Sequence, residues 1–289
     1  MVRLFRRVND YLSLVKFSHT IFAMPFAFVG FTLAVCRDGY PFTLRALLLI
    51  IACMVFARSA AMSFNRIADR NFDRLNPRTS GREIPAGKIS VRNASLFSIA
   101  ASALFIISAG LLNRLALMLS PVALIIILGY SFTKRFTSLC HFVLGLGLSL
   151  SPIGAYIAVT GHFAVIPLLF SGIVLTWVSG FDIIYALQDD DFDKNAGLHS
   201  IPSRLSRRNA LLVSVLIHTI TVALVIITGI LIPGKLIYMT GALVFFILLV
   251  YQHVIVKPDD LSRVNLAFGT TNGIAGLLFS IFVIVDLLI

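Results

Sequence analysis

Charge is scarce in this chain. Asp, Glu, Lys and Arg together make up 13% of its 289 residues, about half the share of an ordinary soluble domain, which excludes a water-exposed globular surface. Cysteine is rarer still: Cys36, Cys53 and Cys140 lie far apart, without the close spacing of metal ligands and without a histidine set that would complete a zinc site. They read as small hydrophobes. Long polar stretches are confined to two places, 65–93 and 186–209, so chemistry that needs several charged groups has only those places to gather.

The rest is apolar. Hydrophobic residues make up 58% of the chain, mean hydropathy is +0.95, and apolar runs recur near the ~20 residues that cross a bilayer. Spans are expected at 17–35, 44–64, 94–112, 115–133, 139–160, 164–185, 210–232, 235–256 and 264–286, nine helices in a single polytopic unit over 1–289. Tight joints fall at Asn113/Arg114 and Gly161/His162. Lys and Arg favour cytoplasmic loops, and 19 of the 24 lie in the N-terminus and the even-numbered loops. The odd loops hold only Arg37, Arg45, Arg114 and Lys235, and Arg58 lies inside a span. This bias places the N-terminus and both polar loops in the cytoplasm, and it fits a bacterial inner membrane or an equivalent organelle membrane. The net charge of +11 is then juxtamembrane charge that sets topology and attracts anionic lipid, and nucleic acid is excluded as a partner. The basic start MVRLFRR followed by an apolar run has the form of a signal peptide, but the run is long and further spans follow, so it is expected to stay as the first helix.

Each polar stretch begins with acids at helical spacing. Asn65, Asp69 and Asp73 are four apart; Asp182, Asp189 and Asp193 follow at steps of seven and four. Such steps return side chains to one helix face, so each set aims its oxygens into one space. Crowded carboxylates stay ionised only beside a counter-charge, and oxygen ligands suit a hard cation, Mg²⁺ first. Mg²⁺ commonly bridges one or two carboxylates to a phosphate. Bases crowd both sets: Arg66, Arg70, Arg74, Arg78 and Arg82 in one, Lys194, Arg204, Arg207 and Arg208 in the other. A diphosphate satisfies both signs. Asp190 and Asp191 fall off the shared face and are expected in solvent. Asp182, near the end of its span, has to ligate or hydrogen-bond, a structural partner being equally open. Arg58, two turns before Asn65, is placed to face the cavity, whereas Asp286 is expected to snorkel to the outer interface. Each loop continues into a basic, Gly/Pro-containing stretch, a weak internal repeat.

The motifs NRIADRNFD (65–73) with NPRTSGREIPAGKIS (76–90), DIIYALQDDDFDKNAGLHSIP (182–202) and YSFTKR (130–135) resemble the signature regions of the UbiA family of intramembrane aromatic prenyltransferases. The resemblance covers essentially the whole chain. It implies an all-α membrane protein, about nine transmembrane helices in a bundle with two cytoplasmic motif loops. It also implies Mg²⁺-dependent transfer of a polyprenyl group from its diphosphate to a ring carbon of an aromatic acid. In that reaction Asn65, Asp69 and Asp73 would hold one Mg²⁺, and Asp189 with Asp193 a second. Arg78, Arg82, Lys134 and Arg135 would contact phosphate oxygens or the acceptor's carboxylate, and the rings of Tyr130 and Tyr185 would face developing positive charge. Ser18, His19 and Thr20 resemble a polar patch that the family turns toward its cavity. The family commonly has Asp directly after the first motif's Asn, where this chain has Arg66. That variant, with NPRT and REIP, is similar to prenyltransferases of futalosine-route menaquinone synthesis, so both 4-hydroxybenzoate and 1,4-dihydroxy-6-naphthoate are open as acceptors. No redox cofactor is implied. The alternative is an ion-coupled secondary transporter, but transport sites lie near the bilayer midplane on broken helices, and these acids gather at one membrane edge.

Overall fold

A computed structural model describes residues 9–16, 22–232 and 236–289. Its helices are α1 (Met24–Thr32, continued by a π-helical turn, Leu33–Arg37), α2 (Leu44–Ala68), α3 (Val91–Gly110), α4 (Arg114–Thr133), α5 (Cys140–Thr160), α6 (Val165–Ala186), α7 (Arg207–Leu231), α8 (Leu236–Ile255) and α9 (Asn272–Leu288). A second π-helical stretch, Leu266–Thr271, leads into α9. Among the described residues eight helices are long and apolar enough to cross a membrane, and a shorter apolar helix, Met24–Arg37, occupies the place of the first expected span. Ser18, His19 and Thr20 lie outside the described residues.

Local chemistry sets the helix ends. Ser90, Asn113 and Ser206 accept the N–H groups of Asn93, Ala116 and Asn209, which caps α3, α4 and α7 as short polar side chains do. Asn113 also donates to the Ile157 carbonyl at 2.7 Å, so the tight joint before α4 is pinned to α5. Gly161 ends α5 at φ +73°, a backbone conformation that glycine adopts without penalty. α2 outruns its expected end by four residues because backbone hydrogen bonding continues through the polar Asn65 and Arg66, the Asp69 N–H reaching the Asn65 carbonyl at 2.9 Å.

Neighbouring helices pack in the order α2 on α3, α4 on α5, α5 on α6, α6 on α7 and α8 on α9, while α1 closes against α5 and α9. The densest core joins Phe26, Phe170, Trp177, Phe245 and Phe279. Large apolar side chains such as Ile99, Ile125, Ile230 and Leu236 point outward, as lipid-facing positions do. Lipid is as apolar as leucine, so helices associate through close contact at small residues. Gly30 is the tightest case: a Cβ there would stand 2.0 Å from the Pro152 carbonyl oxygen. Gly30→Ala is expected to lower stability by about 1–3 kcal/mol through overpacking. Gly129→Ala, where a Cβ meets nothing within 4 Å, should leave thermal unfolding in detergent unchanged.

Asp286 departs from expectation. It is 6% exposed and accepts the Tyr238 N–H at 3.2 Å. It is drawn inward because the first turn of α8 presents backbone donors that no helical carbonyl satisfies.

Candidate active site

Both acidic loops lie at the same end of the bundle. The first begins where α2 stops at Ala68 and a short helix, Arg70–Leu75, continues. Across that break the Asp69 and Asp73 N–H groups still bond to the carbonyls of Asn65 and Asp69, at 2.9 and 2.8 Å. The three motif side chains therefore keep their common face. In the second loop α6 gives way to a 3-10 turn, Leu187–Asp189, and then a short helix, Asp190–Asn195.

That turn alters the expected face. A 3-10 turn has three residues per turn rather than 3.6, and Asp182 falls out of register with Asp189 and Asp193. It receives a hydrogen bond from His141 Nδ1 at 2.7 Å instead, and His141 Nε2 accepts the Ile201 N–H at 3.3 Å. Asp182 thus braces the second loop against α5. Asp190, expected in solvent, is 2% exposed and is held by Arg207 at 2.8 Å and Lys194 at 3.8 Å. A carboxylate so buried has to be paired. Asp191 is exposed, as expected.

The remaining four acids each meet one of the four anticipated cations. Arg82 Nη1 lies 2.6 Å from Asp73, Lys134 Nζ 2.7 Å from Asp193, and Arg135 Nη2 3.6 Å from Asp69. Arg78 forms a two-point pair with Asp189, its Nε donating at 2.9 Å. The pairing ties three segments together, since Arg78 reaches from the first loop to the second and Lys134 comes from the end of α4. Asn65 Nδ2 donates to Asp69 at 2.8 Å. Arg135 is steadied by the rings of Phe132 and Phe72, at 4.9 and 5.6 Å.

Electrostatics at the loops follows from burial and neighbours. Burial, and then the charge of Asp73, push the Asp69 carboxyl up to about 6. Burial alone would weaken the charged form of Lys134, but Asp193 outweighs it and holds the ammonium above its usual range. The donor set suits Mg²⁺: hard carboxylate and amide oxygens on two facing loops, with Asp73 Oδ2 buried and without a hydrogen-bond partner. Among the described residues no three Asp, Glu, His or Cys side chains form a closed cage. Mg²⁺ does not need one when substrate phosphates and water complete its shell.

Tyr130 and Arg58 lie at the head of a cavity of about 340 Å³. It extends along α4 from Tyr130 to Ala116, about 21 Å at the helical rise, between apolar walls that include Met54, Phe105, Ile127, Gly147 and Phe163. Tyr185 sits under Arg78, whose Nη1 donates to its hydroxyl at 3.0 Å. Sequence reasoning missed Asn76, whose Nδ2 donates to Asp189 at 2.9 Å while its Oδ1 accepts the Arg78 N–H. An Asn two residues before a loop arginine, in an Asn-Pro turn, is the signal for such a bridge.

The chain matches the UbiA prenyltransferase family over residues 23–281. It is 32% identical over 247 residues to the 4-hydroxybenzoate octaprenyltransferase of Aliivibrio salmonicida, covering 86% of each chain. To the enzyme of that name from Photobacterium profundum it is 33% identical over 248 residues, or 86% and 85% of the two chains. The apo structure of a UbiA homolog from Aeropyrum pernix superposes with a TM-score of 0.80 at 35% identity, over 93% of this chain and 97% of that one. A UbiA homolog from Archaeoglobus fulgidus bound to DMAPP and Mg²⁺ shares the fold at a TM-score of 0.77 and 23% identity, over 97% and 99%. With its motif acids and bases gathered at one end of a bundle that these relatives share, the chain belongs to the UbiA family of membrane prenyltransferases.

Proposed function

We propose that this enzyme transfers a polyprenyl group from polyprenyl diphosphate to a ring carbon of an aromatic acid, with Mg²⁺ as cofactor, at the cytoplasmic face of a bacterial inner membrane. One observation carries the reading: four acids and four bases interleave beside the head of a long apolar cavity. An amphiphile with a diphosphate head and a hydrocarbon tail matches both parts. The relatives named for 4-hydroxybenzoate and the Archaeoglobus relative bound to DMAPP and Mg²⁺ support it.

The allylic C–O bond breaks with its electron pair passing to the diphosphate. The acceptor's ring carbon then bonds to the allylic carbon and loses its proton, giving a prenylated acid, pyrophosphate and H⁺. Asn65, Asp69 and Asp73 would hold one Mg²⁺, and Asp189 and Asp193 another. Bound there, Mg²⁺ would neutralise the leaving group. Arg78, Arg82, Lys134 and Arg135 supply donors to phosphate oxygens as negative charge develops. The cavity takes the tail and keeps water from the allylic carbon, and Tyr130 and Tyr185 offer ring faces to positive charge. Arg58 and Arg66 stand apart from the four pairs, each with a buried Nε lacking a hydrogen-bond partner. Arg58, whose Nη2 donates to the Lys16 carbonyl at 3.0 Å, lines the cavity and is a cation that would meet the acceptor's carboxylate. His19, outside the described residues, stays a substrate-binding candidate on the family resemblance alone. In this reading the N-terminus is cytoplasmic, the side that the loop charge bias favours.

The test is Mg²⁺-dependent pyrophosphate release from a polyprenyl diphosphate by the purified protein in lipid, with 4-hydroxybenzoate and 1,4-dihydroxy-6-naphthoate offered separately. Release and coupled product with one of them names the acceptor. No coupled product with either, from folded protein, removes these acceptors from the proposal.

A further inference from the structure

The last span changes form where it passes the second motif. Leu266–Thr271 is π-helical, a rare geometry that recurs at functional sites. Three residues in and around it meet three on α6 and its extension. Asn265 Oδ1 accepts from Gln188 Nε2 at 3.2 Å, the Phe268 ring stacks on Tyr185 with centroids 4.0 Å apart, and Asn272 Oδ1 accepts from Trp177 Nε1 at 3.0 Å.

Asn272 fastens the wide turn. Its backbone N–H and its Nδ2 both reach the Ala267 carbonyl, and Nδ2 also donates to Gln252 at 2.7 Å. Asn272 is 1% exposed and Trp177 0%, so these bonds form where water does not compete. Removing one residue to restore an α-helix would turn the segment by about 100° and take Phe268 off Tyr185.

Tyr185 is therefore held by two neighbours. Phe268, packed also against Phe22 and Phe181 at 5.4 and 5.6 Å, stacks on its ring. Arg78 donates to the hydroxyl, and its guanidinium carbon stands 5.5 Å from the ring centroid. Arg78 engages both Asp189 oxygens, so a metal ion held by Asp189 would compete with it there, and the Tyr185 hydroxyl would be a contact that Arg78 could keep.

We propose that the π-helical segment is a positioning element of the active site, in which Phe268 fixes Tyr185 so that Tyr185 holds Arg78 ready for the diphosphate. The inference rests on the diphosphate assignment above. Phe268 acts through Tyr185 and is a positioning residue.

The experiment is a double-mutant cycle read by Mg²⁺-dependent binding of inorganic pyrophosphate and by steady-state kinetics. Phe268→Leu is expected to weaken pyrophosphate binding about tenfold, the scale of one misplaced charge-assisted contact. It should raise KM for the prenyl diphosphate similarly and change kcat less. In a Tyr185→Leu background it should add little, and Phe268→Tyr should restore wild-type values. If the leucine variant does not fold, Phe268→Met carries the test. Unchanged pyrophosphate affinity and KM in the folded variant, or losses that simply add to those of Tyr185→Leu, overturn the proposal. Pyrophosphate binding needs no turnover, so a protein that binds it in this pattern yet prenylates no acceptor sinks the transfer reading and leaves the positioning role standing. Wild-type protein that binds no pyrophosphate with Mg²⁺ sinks both.

Discussion

Asp73→Asn and Asp189→Asn are each expected to lower Mg²⁺-dependent pyrophosphate release by about a thousandfold, roughly 4 kcal/mol of transition-state stabilisation. The substitution keeps shape and removes one negative charge. Asp73 is 5% exposed and Asp189 9%, so neither charge is screened by bulk water. Each pairs with an arginine, and in the proposed reaction each would also supply an oxygen to a divalent cation. Loss of the pairing leaves Arg82 or Arg78 beside a neutral amide, which costs stability when the partner is buried. Thermal unfolding must therefore be measured alongside the rate. Asp191→Asn is the control, because that side chain is exposed and pairs only at its edge with Arg207, and its rate should stay within a factor of two or so of wild type. Folded Asp73 and Asp189 variants with near wild-type release would remove the metal-ligand roles.

The spans and the two acidic loops were legible from the sequence because each rests on a local rule. Apolar length marks a span, and a step of four marks a face. What crossed between segments was not legible. Nothing in the spacing says that Arg78 reaches Asp189 rather than a neighbour in its own loop, or that Lys134 reaches Asp193. Three of the departures share one physical source, local breaks in α-helical geometry. Asp182 left the shared face, taking the hydrogen bond that was one of its two open outcomes, and Asp190 was buried rather than solvated, because a 3-10 turn sits between α6 and the short helix that follows. Phe268 went unnoticed because a π-helical stretch leaves no hydrophobic period of its own. Asp286 was misplaced because its partner, a backbone N–H in α8, has no side-chain signature.

Mg²⁺ and pyrophosphate are expected to bind with positive coupling, each tightening the other about 5- to 150-fold, or 1–3 kcal/mol. The four acid–base pairs require it. Mg²⁺ binding alone would have to detach carboxylates from Arg82, Arg78, Lys134 or Arg135 and leave those partly exposed cations unpaired. Pyrophosphate alone has to detach the same cations and leave the carboxylates unpaired. Together the ligands exchange partners without stranding a charge, and each avoids the desolvation cost the other would face. Calorimetric titration of each ligand with and without the other measures the coupling, provided free Mg²⁺ and its pyrophosphate complex are treated as separate species. Arg82→Leu gives the sharper sign. With Asp73 released from its partner, Mg²⁺ alone should bind more tightly and pyrophosphate more weakly, so the coupling shrinks from both sides. Independent binding in the wild type, or weaker Mg²⁺ binding in Arg82→Leu, would mean that the pairs do not open when the ligands bind and that the metal and the diphosphate are held elsewhere.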